Sequence, residues 1–226
     1  MAGLPAYLVA NLDLVLRLAA QHLAIVLVSA AVAVALALPA GIAVTRPAWR
    51  RHQGAILQLA TVAQTVPSLA VIGLASALFA LIRLGIGWWP TLTALVLYSV
   101  LPVLANTIAG LQGVDPAVIR AARAMGLTAR QVLVRVELPL ALPVILGGIR
   151  TAVVLNVGTA ALAAAIGADC LGSLIFQGIA TGNVTILLAG ALPTMLLALL
   201  LDAAIALLFR RAGRGRVADI SRERVA

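Results

Sequence analysis

Apolar residues are gathered along the chain into five long stretches, which shorter and more polar segments separate. A helix needs about 20 apolar residues to cross a hydrocarbon core of roughly 30 Å. Each stretch is long enough, which predicts five membrane-spanning helices over residues 23–44, 55–82, 90–111, 140–166 and 184–209. Residues 4–20 instead mix apolar residues with Asn11, Asp13 and Arg17, and they predict an amphipathic helix at the membrane interface.

The second stretch is longer than an untilted span requires, and it contains Pro67 within the sequence QTVPS. A proline inside a helix removes a backbone hydrogen bond and clashes with the carbonyl four residues earlier. We therefore expect this span to tilt or kink near Pro67. Trp88 and Trp89 precede the third stretch, where aromatic side chains are typical of the membrane interface.

The longest polar segment, residues 113–139, carries the signals of two short helices. Asp115 is suited to an N-cap, Pro116 to the first helical position, and Gly126 to the position just past a helix end. The apolar face of this first helix is predicted to hold Val118, Ala121, Ala122 and Met125.

The second helix of this segment should begin with a capping box formed by Thr128 and Gln131, and Pro139 is expected to close it. Its predicted apolar face holds Ala129, Val132, Leu133 and Val136. Two helices that each have one apolar face, suspended between membrane spans and carrying several arginines, are typical of a docking surface for another protein.

Composition supports the membrane assignment, since 63% of the 226 residues are hydrophobic and only 10% are charged. The mean hydropathy is +1.14. We expect one all-α membrane domain over residues 1–226, with no separate soluble domain. No cleavable signal peptide is evident, so the first span is expected to direct insertion.

Arginine alone supplies the basic side chains, because the sequence has no lysine. A phosphate-binding loop of the form GxxxxGK[ST] is therefore excluded, and any ATP that drives transport must be hydrolysed by another subunit. The arginines lie in short blocks between apolar stretches, which indicates orientation in a bilayer rather than nucleic-acid binding. Cys170 is the single cysteine, so neither an internal disulfide nor a metal site is expected. No catalytic residue and no cofactor are predicted.

The arginine blocks also predict the orientation of the chain. Only Arg17 and Arg83 lie in the segments on the opposite side from the blocks. The positive-inside rule then places the N-terminus outside, and residues 113–139 and the C-terminus in the cytoplasm. The arginines that follow spans one, three and five are Arg46, Arg50, Arg51, Arg120, Arg123, Arg130, Arg135, Arg210, Arg211, Arg214, Arg216, Arg222 and Arg224.

Polar residues inside predicted spans mark either contacts between helices or a hydrated pathway. The candidates for lining a pathway are Gln64, Thr65, Pro67, Ser68, Asn106, Asn156 and Thr159. Hydrogen bonding between helices remains the alternative for the polar side chains among them. His22 lies at the mouth of the first span and is expected to reach toward the interface. Adjacent small residues such as Gly147 and Gly148 are expected to let helices pack closely.

Arg150 and Asp202 are the two formal charges well inside the predicted spans, at similar depths from the cytoplasmic end. They are therefore candidates for an ion pair between spans four and five. A proton-coupling carboxylate at Asp202 is the functional alternative.

The polar segment resembles the cytoplasmic "EAA" loop of the membrane subunits of bacterial ABC importers. That loop has the pattern E-A-A-x(3)-G-x(9)-I-x-L-P, and every spacing is kept by the residues Arg120, Ala121, Ala122, Gly126, Val136, Leu138 and Pro139. The resemblance implies that residues 115–139 contact an ATPase subunit. The coupling residues that it implies are Asp115, Arg120, Ala121, Ala122, Gly126, Leu138 and Pro139. Arg120 replaces the usual glutamate, which leaves its ATPase contact undefined.

Further stretches between residues 22 and 178, among them QTVPSLAVIGL and LPLALPVILGGIRTAVV, resemble permeases of the glycine betaine, carnitine and choline importers. This resemblance implies the type I importer (MetI-like) fold in the bacterial inner membrane. It also implies the partners: a second permease subunit, identical or paralogous, ATPase subunits and an extracytoplasmic substrate-binding protein. Asp169 and Cys170 stand where small residues are usual.

The resulting hypothesis is a permease subunit for a compatible solute such as glycine betaine, carnitine or choline. Another small solute, such as an amino acid or a sulfonate, remains an alternative. A self-contained secondary transporter would be expected to show more spans, inverted repeats or a buried ion-coupling carboxylate. A membrane-anchored regulatory protein would explain a docking loop but not the polar residues within the spans.

Overall fold

The computed structural model describes residues 3–83 and 85–223, and for residues 210–223 it describes the backbone alone. Every regular element within these residues is helical. Two short 3-10 helices, Arg50–His52 and Ala163–Ile166, and a π-helical turn, Leu133–Glu137, accompany the α-helices. The α-helices are α1 Leu4–Ala10, α2 Leu12–Val44, α3 Gln53–Thr65, α4 Ser68–Leu81, α5 Trp88–Gln112, α6 Pro116–Ala124, α7 Ala129–Val132, α8 Leu138–Leu162, α9 Gly172–Thr181 and α10 Val184–Glu223.

Four helical segments of the described chain are long and apolar enough to cross a membrane. They are Leu12–Val44, Trp88–Gln112, Ala129–Ile166 and Val184–Phe209. The helices Arg50–Thr65 and Ser68–Leu81 pass the same test only as a pair, and they meet at an angle of 91°. The total reaches the predicted five when this bent pair is taken as one span. The predicted class, an all-α polytopic membrane protein, is confirmed.

Pro67 breaks the second span outright, where the sequence predicted one tilted or kinked helix over residues 55–82. The residue before a proline is held in an extended conformation, and Val66 indeed has φ −70° and ψ 132°. Helix α3 therefore ends at Thr65, and α4 starts after the proline. The Val66 carbonyl, which is left outside both helices, accepts a hydrogen bond from the hydroxyl of Tyr98 on α5.

The amino-terminal boundary also differs from the prediction, which placed an interfacial helix over 4–20 before a span over 23–44. The helix is instead interrupted at Asn11. Asn11 donates its side-chain amide to the Tyr7 carbonyl over 2.9 Å, which closes α1, and α2 then continues without interruption. Asp13 and Arg17 lie on the exposed side of α2, while Val15 and Leu18 are buried. A helix with one packed face need not end where polar residues begin.

Helices α2, α5 and α8 form the centre of the molecule, and α10 packs against α8 and α9. One core cluster joins Ile25 and Val26 of α2, Leu95 of α5, and Val153 and Val157 of α8, with three α10 side chains against it. The arginines used for orientation from Arg210 to Arg224 lie outside the residues whose side chains are described.

Close packing of α5 on α8 depends on Gly148 and not on its neighbour Gly147. A Cβ atom at Gly148 would come within 2.5 Å of the Pro102 carbonyl oxygen, whereas one at Gly147 would meet nothing within 4 Å. The expectation that both glycines allow close packing is therefore correct for Gly148 alone.

Candidate functional site

The first helix of the polar segment is held by caps at both ends. Asp115 accepts a hydrogen bond at Oδ1 from the backbone N–H of Ala117 over 2.7 Å, as an N-cap does. At the other end Gly126 has φ +86°, and the N–H of Leu127 donates to the Ala122 carbonyl over 3.2 Å. The Gly126 N–H donates to the Arg123 carbonyl, which completes a Schellman motif. The sequence-predicted boundaries of this helix are confirmed.

The second helix begins with the predicted capping box. Thr128 donates its N–H to Gln131 Oε1 over 2.8 Å, and the Gln131 N–H donates back to Thr128 Oγ1 over 3.3 Å. The prediction that Pro139 closes this helix is wrong, because α7 continues through the π-helical turn into α8. A π turn widens the helix by one residue, which accommodates the carbonyl that a proline would otherwise meet. Pro139 then lies directly after the π-helical turn, where the regular pattern of hydrogen bonds to the fourth residue back is already interrupted.

One face of the two helices packs against the rest of the chain, and the opposite, outer face is exposed. Ala122 is 2% exposed and Val132 is 1% exposed. Ile119 and Leu133 pack against a core cluster that includes Leu111 of α5 and Ala141 of α8. Of the residues predicted for the apolar face of α6, Ala122 is buried, whereas Val118, Ala121 and Met125 are exposed. The inner side of α6 is occupied by Ile119 and Ala122, which turns those three residues outward. Met125 is 73% exposed.

The outer face combines these exposed apolar residues with arginine side chains. Val118 and Val134, which belong to the same two-helix element as Met125, are also exposed. Leu138 and Pro139, at the end of the pattern, are half-buried. The exposed arginines of the element are Arg120, Arg123, Arg130 and Arg135.

Four of the candidates for lining a pathway lie beside the break in the second span. Gln64 donates its side-chain amide to the Tyr98 carbonyl over 2.6 Å and is half-buried. Thr65 is exposed and donates to the Val62 carbonyl of its own helix. Pro67 is exposed and Ser68 is half-buried. These four residues are therefore brought together at one bend.

Asn106 and Thr159 lie elsewhere on the bundle. Asn106 donates to the Pro102 carbonyl over 2.8 Å, and Thr159 donates to the Leu155 carbonyl over 3.1 Å. Each bond stays within its own helix, and both side chains are half-buried.

Asn156 does not line an open pathway, because its side chain is fully buried. It donates to the Ser29 hydroxyl over 2.8 Å and so joins α8 to α2. Two turns before Ser29 on α2, His22 is also fully buried, with Nε2 3.0 Å from the Val157 carbonyl. The carbonyl partner places the proton on Nε2. These contacts hold α2 to α8, and the expectation that His22 reaches the interface is wrong.

The structure brings Arg150 and Asp202 together. The guanidinium donates through Nε to Asp202 Oδ1, and through Nη2 to Oδ2 over 2.6 Å. The pair joins α8 to α10 and lies on an open face, since 44% of the Arg150 side chain and 35% of the Asp202 side chain are exposed.

Comparison with known proteins identifies the family of this chain. Residues 33–214 match the family described as "Binding-protein-dependent transport system inner membrane component". The chain belongs to this family. It is a membrane-spanning permease subunit of a binding-protein-dependent ABC transporter.

Curated relatives of this permease cover most of the chain. It is 43% identical over 196 residues to the osmoprotectant import permease protein OsmW of Salmonella typhimurium, covering 87% of this chain and 90% of that protein. It is also 43% identical to OsmY of the same organism, covering 87% and 81%. The glycine betaine/carnitine/choline transport system permease protein OpuCB of Bacillus subtilis is 36% identical, with coverage of 84% and 85%.

Solved structures show that the permease has a MetI-like, type I ABC importer fold. An inward-facing structure of the MetNI methionine ABC transporter matches with a TM-score of 0.80 at 24% identity, covering 89% of this chain and 97% of that one. An amino acid ABC transporter matches with a TM-score of 0.76 at 19% identity, covering 91% and 97%.

The permease also contains an ion pair that the sequence reasoning missed. Glu137, at the end of the π-helical turn, is 5% exposed, and its Oε2 lies 2.5 Å from Nη2 of Arg46. Arg46 follows the last turn of α2, and its Nε also donates to the Ile42 carbonyl. The pair therefore ties the polar segment to the end of the first span. The available signal was a single acidic residue, Glu137, next to the apolar start of span four.

Cys170 lies between the last two spans and is buried. Its thiol donates to the Ala160 carbonyl over 3.3 Å, and burial raises the pKa of the thiol. Asp169 beside it is exposed. Neighbouring Leu171 and Leu174 pack against Val15, so this part of the chain contributes to the core.

Proposed function

We propose that this permease forms, with a second permease subunit, the membrane pathway of an ATP-driven importer for a compatible solute. The solute class is that of glycine betaine, carnitine and choline. OpuCB, at 36% identity, is named for these solutes, and OsmW and OsmY, at 43% identity, are named for osmoprotectant import. OsmW and OsmY are two similar permeases of one organism, which supports a paralogous second subunit.

The exposed outer face of α6, α7 and the π-helical turn supports the presence of an ATPase partner. Its backbone is fixed by an N-cap, a Schellman motif and a capping box, so the element is rigid before anything binds to it. Its apolar residues are exposed although its inner face is packed. A rigid, preorganised surface of this kind loses little conformational entropy on association. The sequence holds no lysine for a phosphate-binding loop, so ATP hydrolysis is assigned to the docked subunit.

Arg120 gives this docking surface an unusual charge. It stands exposed where the family pattern has glutamate, and three further arginines lie exposed on the same element. Complementary charges favour correct pairing of two surfaces. We therefore expect the cleft of the matching ATPase to present carboxylates toward α6.

The orientation follows from the distribution of arginines. The basic segments after spans one and three, which include Arg46 and Arg120, lie on the cytoplasmic side under the positive-inside rule. The N-terminus is then outside, and the extracytoplasmic substrate-binding protein delivers the solute to the surface near Trp88 and Asp169.

Replacing Met125 with aspartate tests the docking surface. Met125 is 73% exposed and lies at the end of α6, so the change should leave the fold intact. Burying an unpaired carboxylate at the ATPase contact is unfavourable, and we expect co-purification of the ATPase to fall about tenfold or more. Met125→Leu is the control, since it keeps an apolar side chain at the same exposed position. Equal retention of the ATPase by Met125→Asp and Met125→Leu would contradict the assignment.

A further inference from the structure

The ion pair of Arg150 and Asp202 lies deep in the membrane yet remains open on one side. At 1.5 Å per residue, about 18 Å of helix separate Arg150 from the start of α8, and about 10 Å separate Asp202 from Phe209. Charged groups that face hydrocarbon are costly even when they are paired. The half-exposed face is therefore better suited to an aqueous pathway between two permease subunits than to lipid.

The pair forms part of a cavity of about 440 Å³. The other residues that line it are Gly147, Thr151, Val154 and Leu155. The Thr151 hydroxyl donates to the Gly147 carbonyl, so it is engaged with its own helix. The cavity thus has largely apolar walls and one positive and one negative group side by side. Binding sites for small molecules commonly combine such walls with a few convergent polar groups.

We propose that Arg150 and Asp202 are an exchangeable ion pair that binds a zwitterionic solute during its passage. The solute carboxylate contacts the Arg150 guanidinium, whose planar donors match a carboxylate. The quaternary ammonium of the solute contacts the Asp202 carboxylate, since this cation offers no N–H and is recognised by charge. Without solute the two side chains neutralise each other, so the empty site carries no unpaired charge. This inference rests on the proposed function and adds to it a site within the membrane.

The test uses the complete importer, composed of permease subunits, ATPase and binding protein, reconstituted in proteoliposomes with radiolabelled glycine betaine. The variants are Arg150→Gln, Arg150→Lys and the neutral double variant R150Q/D202N. The control Arg17→Gln removes an exposed arginine from the first turns of α2, which do not line the cavity. Uptake is measured beside ATP hydrolysis stimulated by the loaded binding protein, which reports assembly and coupling.

Uptake by Arg150→Gln and by R150Q/D202N is expected to fall at least tenfold, while stimulated ATP hydrolysis stays within about twofold of wild type. Arg150→Lys, which keeps the positive charge but not the planar pair of donors, should lose less uptake than Arg150→Gln. A pair that only fastens α8 to α10 predicts otherwise: either near-normal uptake by the double variant, or parallel loss of uptake and ATP hydrolysis. Either result overturns the site. Failure of the wild-type importer to accumulate any of glycine betaine, carnitine and choline would instead overturn the proposed substrate class.

Discussion

Replacing Gly126 with valine is expected to abolish ATPase association and solute uptake while leaving the permease inserted in the membrane. Gly126 has φ +86°, a conformation that a β-branched residue adopts only at a cost of about 1–3 kcal/mol. A Cβ atom there would meet nothing within 4 Å, so the backbone conformation alone is responsible. Relief of this strain would open the Schellman motif and move α6 away from α7. Co-purification of the ATPase measures the effect.

Gly126→Asn is the matched control at the same position. Asparagine tolerates the left-handed conformation far better than valine does. We expect Gly126→Asn to keep most of the ATPase association that Gly126→Val loses. Equal loss by both variants would mean that the turn conformation does not govern docking.

Loss of the Glu137–Arg46 ion pair is expected to produce the second large effect. Glu137 is nearly buried, whereas 34% of the Arg46 side chain is exposed, which reduces the loss expected of a fully buried pair. We expect Glu137→Gln to lower the free energy of unfolding by roughly 1–3 kcal/mol. Because the pair ties α2 to the coupling segment, ATP hydrolysis stimulated by the binding protein should also fall. Thermal unfolding of the solubilised complex and stimulated ATP hydrolysis are the two measurements.

A double-mutant cycle of Glu137→Gln and Arg46→Gln measures the interaction energy between the two side chains. The two single changes should be non-additive by about 1–2 kcal/mol, since either one already breaks the pair. Arg50→Gln, in the same basic block but exposed, is the control and should be close to neutral. Strict additivity of Glu137→Gln and Arg46→Gln would show that the two side chains do not interact in the assembled importer.

Local signals in the sequence predicted the polar segment well. Asp115, Gly126 and the Thr128–Gln131 box act over three or four residues, so the sequence alone carries the information that fixes them. The position of the break at Pro67 was predictable for the same reason, because a proline restricts its own backbone and that of Val66.

Features that depend on distant parts of the chain were not predictable in the same way. Glu137 and Arg46 are 91 residues apart, and the hydrogen bond of Asn156 to Ser29 spans 127 residues. Burial of Asn156 is decided by how α8 packs on α2, and no local rule reports it. The rule that a proline ends a helix predicted a boundary at Pro139 that the structure does not have. The π-helical turn before Pro139 removes the clash that would have ended the helix.

ATP-driven uptake of radiolabelled glycine betaine by proteoliposomes tests the central claim most directly. The complete assembly of permease subunits, ATPase and binding protein should accumulate the solute, and omission of the ATPase or of ATP should abolish accumulation. Uptake that persists without the ATPase, driven by an ion gradient, would contradict the account and identify the chain as a secondary transporter.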